Sequence, residues 1–268
     1  MRIIVIGCGS IGTALALAAD RLPEVKNVYL FDTKPEASKL VSSVMAKGTV
    51  IDSVEEELYH ADMVIEAASQ DAAREYLPIV IERGVSMMVM SVGALVDDEF
   101  RREIFEKAST TESCIYIPSG ALCGLDGLRA ATESGVDYVE LITIKNPKSI
   151  EDVQYVLDKG IVVDDLTERT EVYRGTAREA VKLFPKNINV AATVSIFGIG
   201  FDNTMVTIIV DPGTTSNSHE LRYGGDFGEA VCHTYNVPSP LNPRTSHLSA
   251  LSATQALKSL VKNIWIAI

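Results

Sequence analysis

The first 118 residues alternate between short apolar runs and longer amphipathic stretches. The amphipathic stretches predict helices, the clearest of them at Pro35–Ala46, Asp71–Arg83 and Asp97–Ala108. Nearly every residue in these apolar runs is apolar, without alternation with polar residues, which is typical of strands covered on both faces of a sheet. They predict strands at Arg2–Ile6, Asn27–Phe31, Thr49–Ile51, Asp62–Ala67, Ser86–Ser91 and Cys114–Ile117. Strands and helices in alternation predict an α/β fold with a doubly wound parallel sheet.

After Pro118 the pattern changes, and several runs alternate between apolar and polar residues. Predicted strands are Tyr138–Ile144, Glu168–Arg174, Thr204–Val210, Glu220–Tyr223 and Glu229–Tyr235, with helices at Thr176–Phe184 and Val190–Phe197 and a hairpin turn at Gly224–Asp226. This mixture predicts an α+β second domain with a mixed sheet.

The end of the chain contains a proline-rich connector and one more helix. Pro238, Pro240 and Pro243 predict a stiff crossover, Ser246–Lys262 has leucines at helical spacing, and the last six residues could add a strand. We expect this helix to return to the first domain. The predicted domains are therefore 1–118, completed by about 244–268, and 119–243.

A glycine-rich turn follows the first strand and opens a helix. Gly7 permits a tight turn, Gly9 lets the backbone approach a pyrophosphate, and Gly12 lets the helix pack closely on the sheet. The intervening Ser10 and Ile11 would present backbone N–H groups to the phosphates. Together with Asp32, twenty residues after Gly12, the pattern predicts a dinucleotide-binding Rossmann unit rather than a simple connecting turn.

Residues at the carboxyl ends of the strands are the expected cofactor contacts, because ligands of such sheets bind there. The carboxylate of Asp32 could bind both ribose hydroxyls of an adenosine and would repel a 2′-phosphate, so NAD is favoured over NADP. Lys34 could soften that preference. Ala67, Ala68 and Ser91 are small and would let a ribose approach, although ordinary strand-end turns would also use such residues.

Composition and charge narrow the classes of partner. The 268 residues are 47% hydrophobic and 22% charged, with a formal net charge of −12. Such a charge argues against a nucleic acid or an anionic membrane as partner, although a local cluster of cations could still bind an anionic substrate. Since the chain contains neither a signal peptide nor a membrane-length apolar run, we expect a soluble, cytoplasmic protein.

The four cysteines are scattered without a Cys-x-x-Cys pair, so neither a zinc site nor a disulfide framework is expected, and no metal is predicted. Packing explains Cys8 and Cys114. Cys123 is interpreted as a buried small residue in preference to a catalytic thiol.

Three polar segments of the second domain are candidate substrate contacts. The segment 118–126 contains Ser119 and Ala121 and should open a helix, whose N–H groups would suit a carboxylate or carboxamide. The segment 184–192 contains Lys186, Asn187 and Asn189. The third segment, 211–220, is a loop of small polar residues that ends in a histidine.

Of the four histidines, His219 is the catalytic candidate, because it alone follows a small, polar loop and an imidazole can transfer protons near neutral pH. A structural histidine at a strand start is the alternative. We interpret His60 as a surface residue, His233 as cross-strand packing, and His247 as a residue of the first turn of the last helix.

The chain resembles the L-aspartate dehydrogenase family of NAD(P)-dependent enzymes. The resemblance rests on Gly7–Gly12, 118–125, Thr143–Lys145, 184–192, 216–221 and 238–246, in the family's order. It implies that His219 is the catalytic residue and that Ala121 and Asn189, or alternatively Asn187, contact the cofactor. Cys123 departs from the small residue expected at its position.

The resemblance also implies a reaction. Hydride leaves the α-carbon of L-aspartate for the nicotinamide, which makes the enzyme an oxidoreductase acting on a CH–NH2 group, and His219 would act as a general base. Lys145, Lys186 and Arg244 are candidates for binding the two carboxylates of L-aspartate or oxaloacetate, with Ser119 and Asn187 as further substrate contacts. Homodimers and a supply of iminoaspartate for NAD biosynthesis are implied as well.

Two alternatives remain open from the sequence. One is another two-domain NAD(P)-dependent oxidoreductase of amino-acid metabolism, such as an imine or semialdehyde reductase. The other is a non-catalytic NAD-binding sensor.

Overall fold

The computed structural model describes residues 1–184, 189–240 and 242–264, without the side chains of 243 and 244. The chain divides into two compact units, one formed by Met1–Pro118 with Ala250–Ile268 and the other by Ser119–Ser249. Within the described residues, no helix has both the length and the apolar character needed to cross a membrane.

The first unit contains a six-stranded parallel sheet in the order β3-β2-β1-β4-β5-β6. Its strands are β1 (Arg2–Ile6), β2 (Asn27–Phe31), β3 (Gly48–Val50), β4 (Met63–Glu66), β5 (Ser86–Val89) and β6 (Ile115–Tyr116). The connecting helices are α1 (Ser10–Asp20), α2 (Pro35–Ser42), α3 (Val54–Glu57), α4 (Gln70–Glu82) and α5 (Asp98–Ser109), with a 3-10 segment at Val92–Val96. The strand order reverses direction at β1, so ligands are expected beside the carboxyl ends of β1 and β4.

Burial on both faces explains the continuous apolar runs of this sheet. The side chains of Ile3, Val5 and Ile65 are fully buried on the face that packs with α1, and those of Ile4 and Val64 are fully buried on the opposite face. The last helix, α10 (His247–Lys262), adds Ala253 and Leu257 to the same core. The prediction of a doubly wound parallel sheet is confirmed.

The second unit contains a five-stranded mixed sheet in the order β11-β10-β7-β9-β8. Its strands are β7 (Val136–Lys145), β8 (Thr170–Thr176), β9 (Thr204–Val210), β10 (Ser218–Gly225) and β11 (Gly228–Tyr235). Only the pair β7 and β9 is parallel among these described strands, and β10 joins β11 through the predicted hairpin. The helices are α6 (Leu125–Ala131), α7 (Gln154–Asp158), α8 (Ala177–Leu183) and α9 (Asn189–Phe197), with 3-10 segments at Pro147–Ser149 and Val163–Asp165. The α+β prediction is confirmed.

Alternation along β7 and β10 separates a buried face of this sheet from a more exposed one. Thr143, Lys145 and His219 lie on the buried face, together with Leu141 and Leu221. The hydrophobic side chains on the other face are more accessible, and on β11 the side chain of Tyr235 is 81% exposed. Polar residues that a strand buries at its end are candidates for function, because burying them costs free energy unless they are hydrogen-bonded.

The proline-rich connector differs from the stiff crossover that was predicted. It forms a small antiparallel pair of strands, β12 (Pro238–Ser239) and β13 (Asn242–Ser246). Prolines are tolerated at the start and edge of such strands, where their missing N–H is not needed. At the carboxyl terminus Asn263 and Ile264 are not part of a strand, and the remainder of the predicted strand lies outside the described residues.

Candidate active site

The glycine turn after β1 is tightly constrained at two positions and open at the third. Gly7 has a φ of +91°, and a Cβ there would lie 2.8 Å from the backbone of Ala67. At Gly12 a Cβ would lie 1.8 Å from the carbonyl oxygen of Gly7, so helix and turn are in direct contact. A Cβ on Gly9 would meet no described atom within 4 Å. The turn therefore leaves open space in front of Gly9, at the N-terminal end of α1.

The carboxylate of Asp32 is held at the end of β2 by two backbone N–H groups. The N–H of Cys8 donates to its Oδ2 at 2.7 Å and the N–H of Lys34 donates to its Oδ1 at 2.8 Å. Both oxygens retain lone pairs for a further donor. The carboxylate is thereby oriented beside the glycine turn.

A cavity of about 740 Å3 lies at this edge of the sheet. Its walls include the glycine turn, Asp32 and the small residues after β4, namely Gly7, Cys8, Gly9, Asp32, Lys34, Ala67, Ala68 and Ser69. A cavity of this size, bordered by the glycine turn before α1 and by the Asp32 carboxylate, fits the phosphate and ribose groups of a dinucleotide. Ser10 and Ile11 lie in the first turn of α1, and neither is among the residues that line this cavity.

Glu66, at the end of β4, is a fully buried carboxylate that the sequence reasoning missed. Its oxygens accept hydrogen bonds from the N–H groups of Ala68, Ser69 and Ser91 and from the Ser91 hydroxyl, at 2.8 to 3.0 Å. Burial raises the pKa of Glu66, and this effect is larger than the opposite effect of the four hydrogen bonds, which lower the pKa. Glu66 thus ties the turns after β4 and β5 together. The feature of the sequence that could have identified Glu66 is an acidic residue at the end of an apolar run.

This arrangement changes the interpretation of Ser91. Its hydroxyl donates to the buried Glu66 carboxylate, and its side chain is itself buried. Ser91 therefore supports the edge of the sheet that carries Ala67 and Ala68, which do line the cavity.

His219, near the start of β10, is buried beside a hydroxyl and a cation. The side chain is 6% exposed, and its Nδ1 lies 3.1 Å from Oγ1 of Thr143, the residue opposite it on β7. Lys145, two residues further along β7, is 3% exposed. The three side chains share one face of the sheet because residues two apart point the same way.

Burial and charge shift the pKa values of both ionisable groups in this cluster. Burial, together with the positive charge of Lys145, lowers the pKa of His219 to about 3. Burial lowers the pKa of Lys145 to about 8. At neutral pH the site therefore combines a neutral imidazole, which can accept a proton, with an ammonium group that is mostly protonated.

The other histidines lie in different surroundings. His233 is on the exposed face of β11, 3.2 Å from a carboxylate oxygen of Glu220, and stacks on Tyr235. His60 is exposed near the end of α3, and His247 opens α10. These positions agree with their interpretation as surface, cross-strand and helix-start residues.

The loop before His219 is tied down by polar contacts within the second unit. Asp211 accepts hydrogen bonds from Arg169 at 2.6 Å and from the N–H of Gly213 at 2.8 Å, and the ion pair lowers the pKa of Asp211. The amide of Asn146 donates to the carbonyl of Thr214. A cavity of about 200 Å3 borders His219, and one of about 350 Å3 borders Asn146, Asn217 and Asn236.

The segment 118–126 does open a helix, α6, and Ala121 is buried ahead of it. The carbonyl of Ala121 accepts a hydrogen bond from the Asn236 amide at 3.2 Å. Ser119 is half-buried. The interpretation of Cys123 as a buried residue was wrong: it is exposed, and its thiol lies 3.1 Å from Thr234 Oγ1. Cys114 is also exposed, one residue before β6 begins.

The remaining predicted contacts fall partly outside the described residues. Asn189 is the first residue of α9, and its carbonyl accepts a hydrogen bond from Thr193. Lys186 and Asn187 lie outside the described residues, as does the side chain of Arg244. In the part of the chain that is described, no three His, Cys, Asp or Glu side chains are grouped as a metal site requires.

Comparison with known proteins gives matches over the whole chain. The family model "Aspartate dehydrogenase, C-terminal" matches residues 126–260, and the model "Homoserine dehydrogenase, NAD binding domain" matches residues 7–118. The L-aspartate dehydrogenase of Methanosarcina mazei is 40% identical over 268 residues, which is 99% of each chain. That of Methanothermobacter thermautotrophicus is 41% identical and covers 99% of this chain and 98% of its own.

Solved structures agree with the sequence matches. The aspartate dehydrogenase of Thermotoga maritima is 29% identical, with a TM-score of 0.76 over 97% of this chain and 96% of its own. A hyperthermophilic archaeal homoserine dehydrogenase in complex with NADPH is 12% identical, with a TM-score of 0.60 over 100% of this chain and 99% of its own, so it shares the fold. With both family models matched in order and full-length relatives at about 40% identity, this chain belongs to the L-aspartate dehydrogenase family.

Proposed function

We propose that this chain catalyses the reversible, NAD(P)-dependent oxidative deamination of L-aspartate. L-Aspartate, water and the oxidised cofactor give oxaloacetate, ammonium, the reduced cofactor and a proton, by way of iminoaspartate. The observation that carries the proposal is the buried cluster of Thr143, Lys145 and His219, in a chain about 40% identical to L-aspartate dehydrogenases over its full length.

The cavity of the first unit would hold the cofactor. Gly7 and Gly9, with the N–H groups of Ser10 and Ile11, would contact the pyrophosphate, Gly12 would hold α1 close to the turn for this contact, and Asp32 would bind the adenosine ribose. The Asp32 carboxylate favours NAD, because it would repel the 2′-phosphate of NADP. The small side chains of Ala67 and Ala68 would let the cofactor approach the sheet. When bound, the cofactor supplies the nicotinamide ring that takes hydride from the α-carbon.

His219 is the proposed general base. In the tautomer that donates from Nδ1 to Thr143, Nε2 carries a lone pair, and Thr143 orients the ring. The neutral imidazole can accept the proton that the substrate ammonium must lose before the α-carbon is oxidised. It can equally accept a proton from the water that adds to the imine carbon.

Lys145 is the proposed partner of a substrate carboxylate. A buried ammonium group gains most from an anion, because a charge-assisted hydrogen bond offsets the free energy of its desolvation. A dicarboxylate bound beside it would raise the pKa values of both Lys145 and His219 and make the imidazole a stronger base. Ser119, Lys186, Asn187 and Arg244 are proposed as further substrate contacts, and Ala121, Asn187 and Asn189 as cofactor contacts.

The test is a substrate screen with the purified chain. Oxaloacetate with ammonium and NADH should be reduced faster than pyruvate, 2-oxoglutarate or aspartate semialdehyde, followed by the loss of NADH absorbance. A His219→Ala variant should lose this rate while still binding NADH, and the exposed control His60→Ala should keep both. Faster turnover of a semialdehyde without ammonium would indicate a different reductase, and NADH binding without any turnover would indicate a sensor.

The cellular setting is also a proposal. An aspartate dehydrogenase in the cytoplasm would supply iminoaspartate for NAD biosynthesis. A homodimer formed through the exposed face of the second sheet would cover Tyr235 and Val231, whose side chains are accessible in a single chain. Light scattering coupled to gel filtration should give twice the chain mass, and a Tyr235→Asp variant should reduce it to one.

A further inference from the structure

Asn236 lies one row beyond His219 on the same face of the second sheet. The register pairs His219 with Thr234 and Ser218 with Tyr235, and the N–H of Asn236 donates to the carbonyl of Asn217 at 3.0 Å. The pairing therefore continues to Asn217 and Asn236. Because side chains alternate, Asn236 faces the same side as Thr234, which makes it a diagonal neighbour of His219, within reach of a shared small ligand.

The amide of Asn236 is only half satisfied. Its Nδ2 donates to the Ala121 carbonyl at 3.2 Å, and the side chain is 4% exposed. Its Oδ1 is the single buried side-chain nitrogen or oxygen without a partner among the residues that the structure describes. Rotating the amide would place Oδ1 against the Ala121 carbonyl oxygen, so the Ala121 contact fixes this orientation.

A cavity large enough for a small amino acid adjoins this amide. It measures about 350 Å3, and its lining combines the charged residues Lys148 and Glu151 with neutral hydrogen-bonding residues, among them Asn146, Thr215, Asn217, Asn236, Thr245 and Ser246. Lys145 stands in the same row of the sheet, opposite Asn217 in the continued register. A buried acceptor next to such a cavity needs a donor, and a ligand can bring one.

We propose that Oδ1 of Asn236 accepts a hydrogen bond from an N–H group of the ligand, and that this group is the amine of the amino-acid substrate. The proposal rests on the proposed function. The amine is favoured because its nitrogen carries the proton assigned to His219, the diagonal neighbour of Asn236. The carboxamide of the nicotinamide offers the same chemistry and is the second source to be distinguished.

The experiment compares ligands that differ only in the N–H donor. L-Aspartate is paired with succinate, a competitive inhibitor without an amine, and NADH is paired with its acetylpyridine analogue, which lacks the carboxamide N–H. Asn236→Leu removes the acceptor and the Ala121 contact together, whereas Asn236→Asp retains an acceptor oxygen. Asn203→Leu is the matched control, since Asn203 also donates to a backbone carbonyl but is exposed.

In Asn236→Leu the KM for L-aspartate should rise about 10- to 100-fold, the range for a hydrogen bond to a charged group, while the inhibition constant of succinate changes far less. Asn236→Asp should keep or increase the wild-type preference for L-aspartate over succinate, because a carboxylate oxygen accepts from an ammonium at least as well as an amide oxygen, and Asn203→Leu should change neither constant. If Asn236→Leu weakens the binding of NADH more than the binding of its acetylpyridine analogue, Oδ1 of Asn236 is still the acceptor, and the nicotinamide carboxamide is its donor.

The proposal would be overturned if Asn236→Leu weakened the binding of all four ligands equally, or if Asn236→Asp lost the same selectivity as Asn236→Leu. Asn236 would then serve only to hold the Ala121 carbonyl in place. Thermal melting checks folding, and Asn236→Ala replaces the leucine variant if that variant does not fold. Wild-type turnover is measured separately, so absence of oxaloacetate amination would refute the proposed function, whereas unchanged ligand ratios in an active enzyme refute only this inference.

Discussion

Replacing Lys145 by methionine removes a positive charge that lowers the pKa of His219 and leaves the packing nearly unchanged. Methionine keeps a long apolar side chain in a position that is 3% exposed. The variant therefore separates the electrostatic role of Lys145 from its role in the core. It should change the pKa of His219 and the binding of a dicarboxylate substrate.

The size of the pKa change follows from the two causes that act on His219. Burial is the larger cause and the charge of Lys145 the smaller, and together they lower the pKa from 6.5 to about 3. The charge thus accounts for less than half of that fall. Without it the pKa of His219 should rise but stay below about 5, because burial still disfavours the imidazolium.

Two measurements check this prediction. Titration of the ring signals by NMR should place the pKa of His219 above 3 and below about 5 in Lys145→Met. The KM for L-aspartate should rise about 10- to 100-fold, because a carboxylate loses its buried cation. Lys182→Met, a change of an exposed lysine in α8, should alter neither quantity. An unchanged pKa together with an unchanged KM would refute the reasoning.

Three further predictions concern stability and cofactor choice. Between pH 6.5 and about 3, His219 binds fewer protons in the folded protein than in the unfolded chain. The free energy of unfolding should therefore fall as the pH falls through this range, by up to about 1.4 kcal/mol per pH unit. Urea unfolding at several pH values should show that His219→Asn lacks this slope. Gly12→Ala should lower the free energy of unfolding by about 1–3 kcal/mol or more, because the added Cβ would meet the Gly7 carbonyl. Gly9→Ala should fold normally but bind NADH more weakly in fluorescence titrations. Asp32→Ser should raise kcat/KM for NADP relative to NAD by about tenfold or more, because the carboxylate that would repel the 2′-phosphate is removed. An unchanged ratio in steady-state kinetics would contradict this role.

The pattern of apolar residues determined most of the fold. Arg2–Ile6, Asn27–Phe31 and Thr204–Val210 form strands with the predicted bounds. Periodicity reports which face of an element is buried, and this information is local to each segment. The short helices α3 and α7 escaped prediction because four or five residues contain too few turns to reveal a period.

The glycine turn could be predicted for the same local reason. Gly7, Gly9 and Gly12 act within one strand, turn and helix, and Asp32 ends the adjacent strand, so their spacing along the chain already encodes their neighbourhood. Glu66 could not be assigned a role, because its four hydrogen-bond donors come from two turns that only the sheet brings together.

The cluster around His219 shows most clearly what belongs to the tertiary structure alone. The sequence by itself determined the dinucleotide-binding order of elements and singled out a histidine after a polar loop. The register of three strands decided three further features. It brings Thr143 next to this histidine, places Lys145 on the same face, and leaves the Asn236 side chain with an unpaired oxygen. The physical reason is that cross-strand pairing joins residues far apart in the chain. Burial and charge at those contacts shift the pKa values and leave the unpaired hydrogen-bonding group on which the chemistry depends.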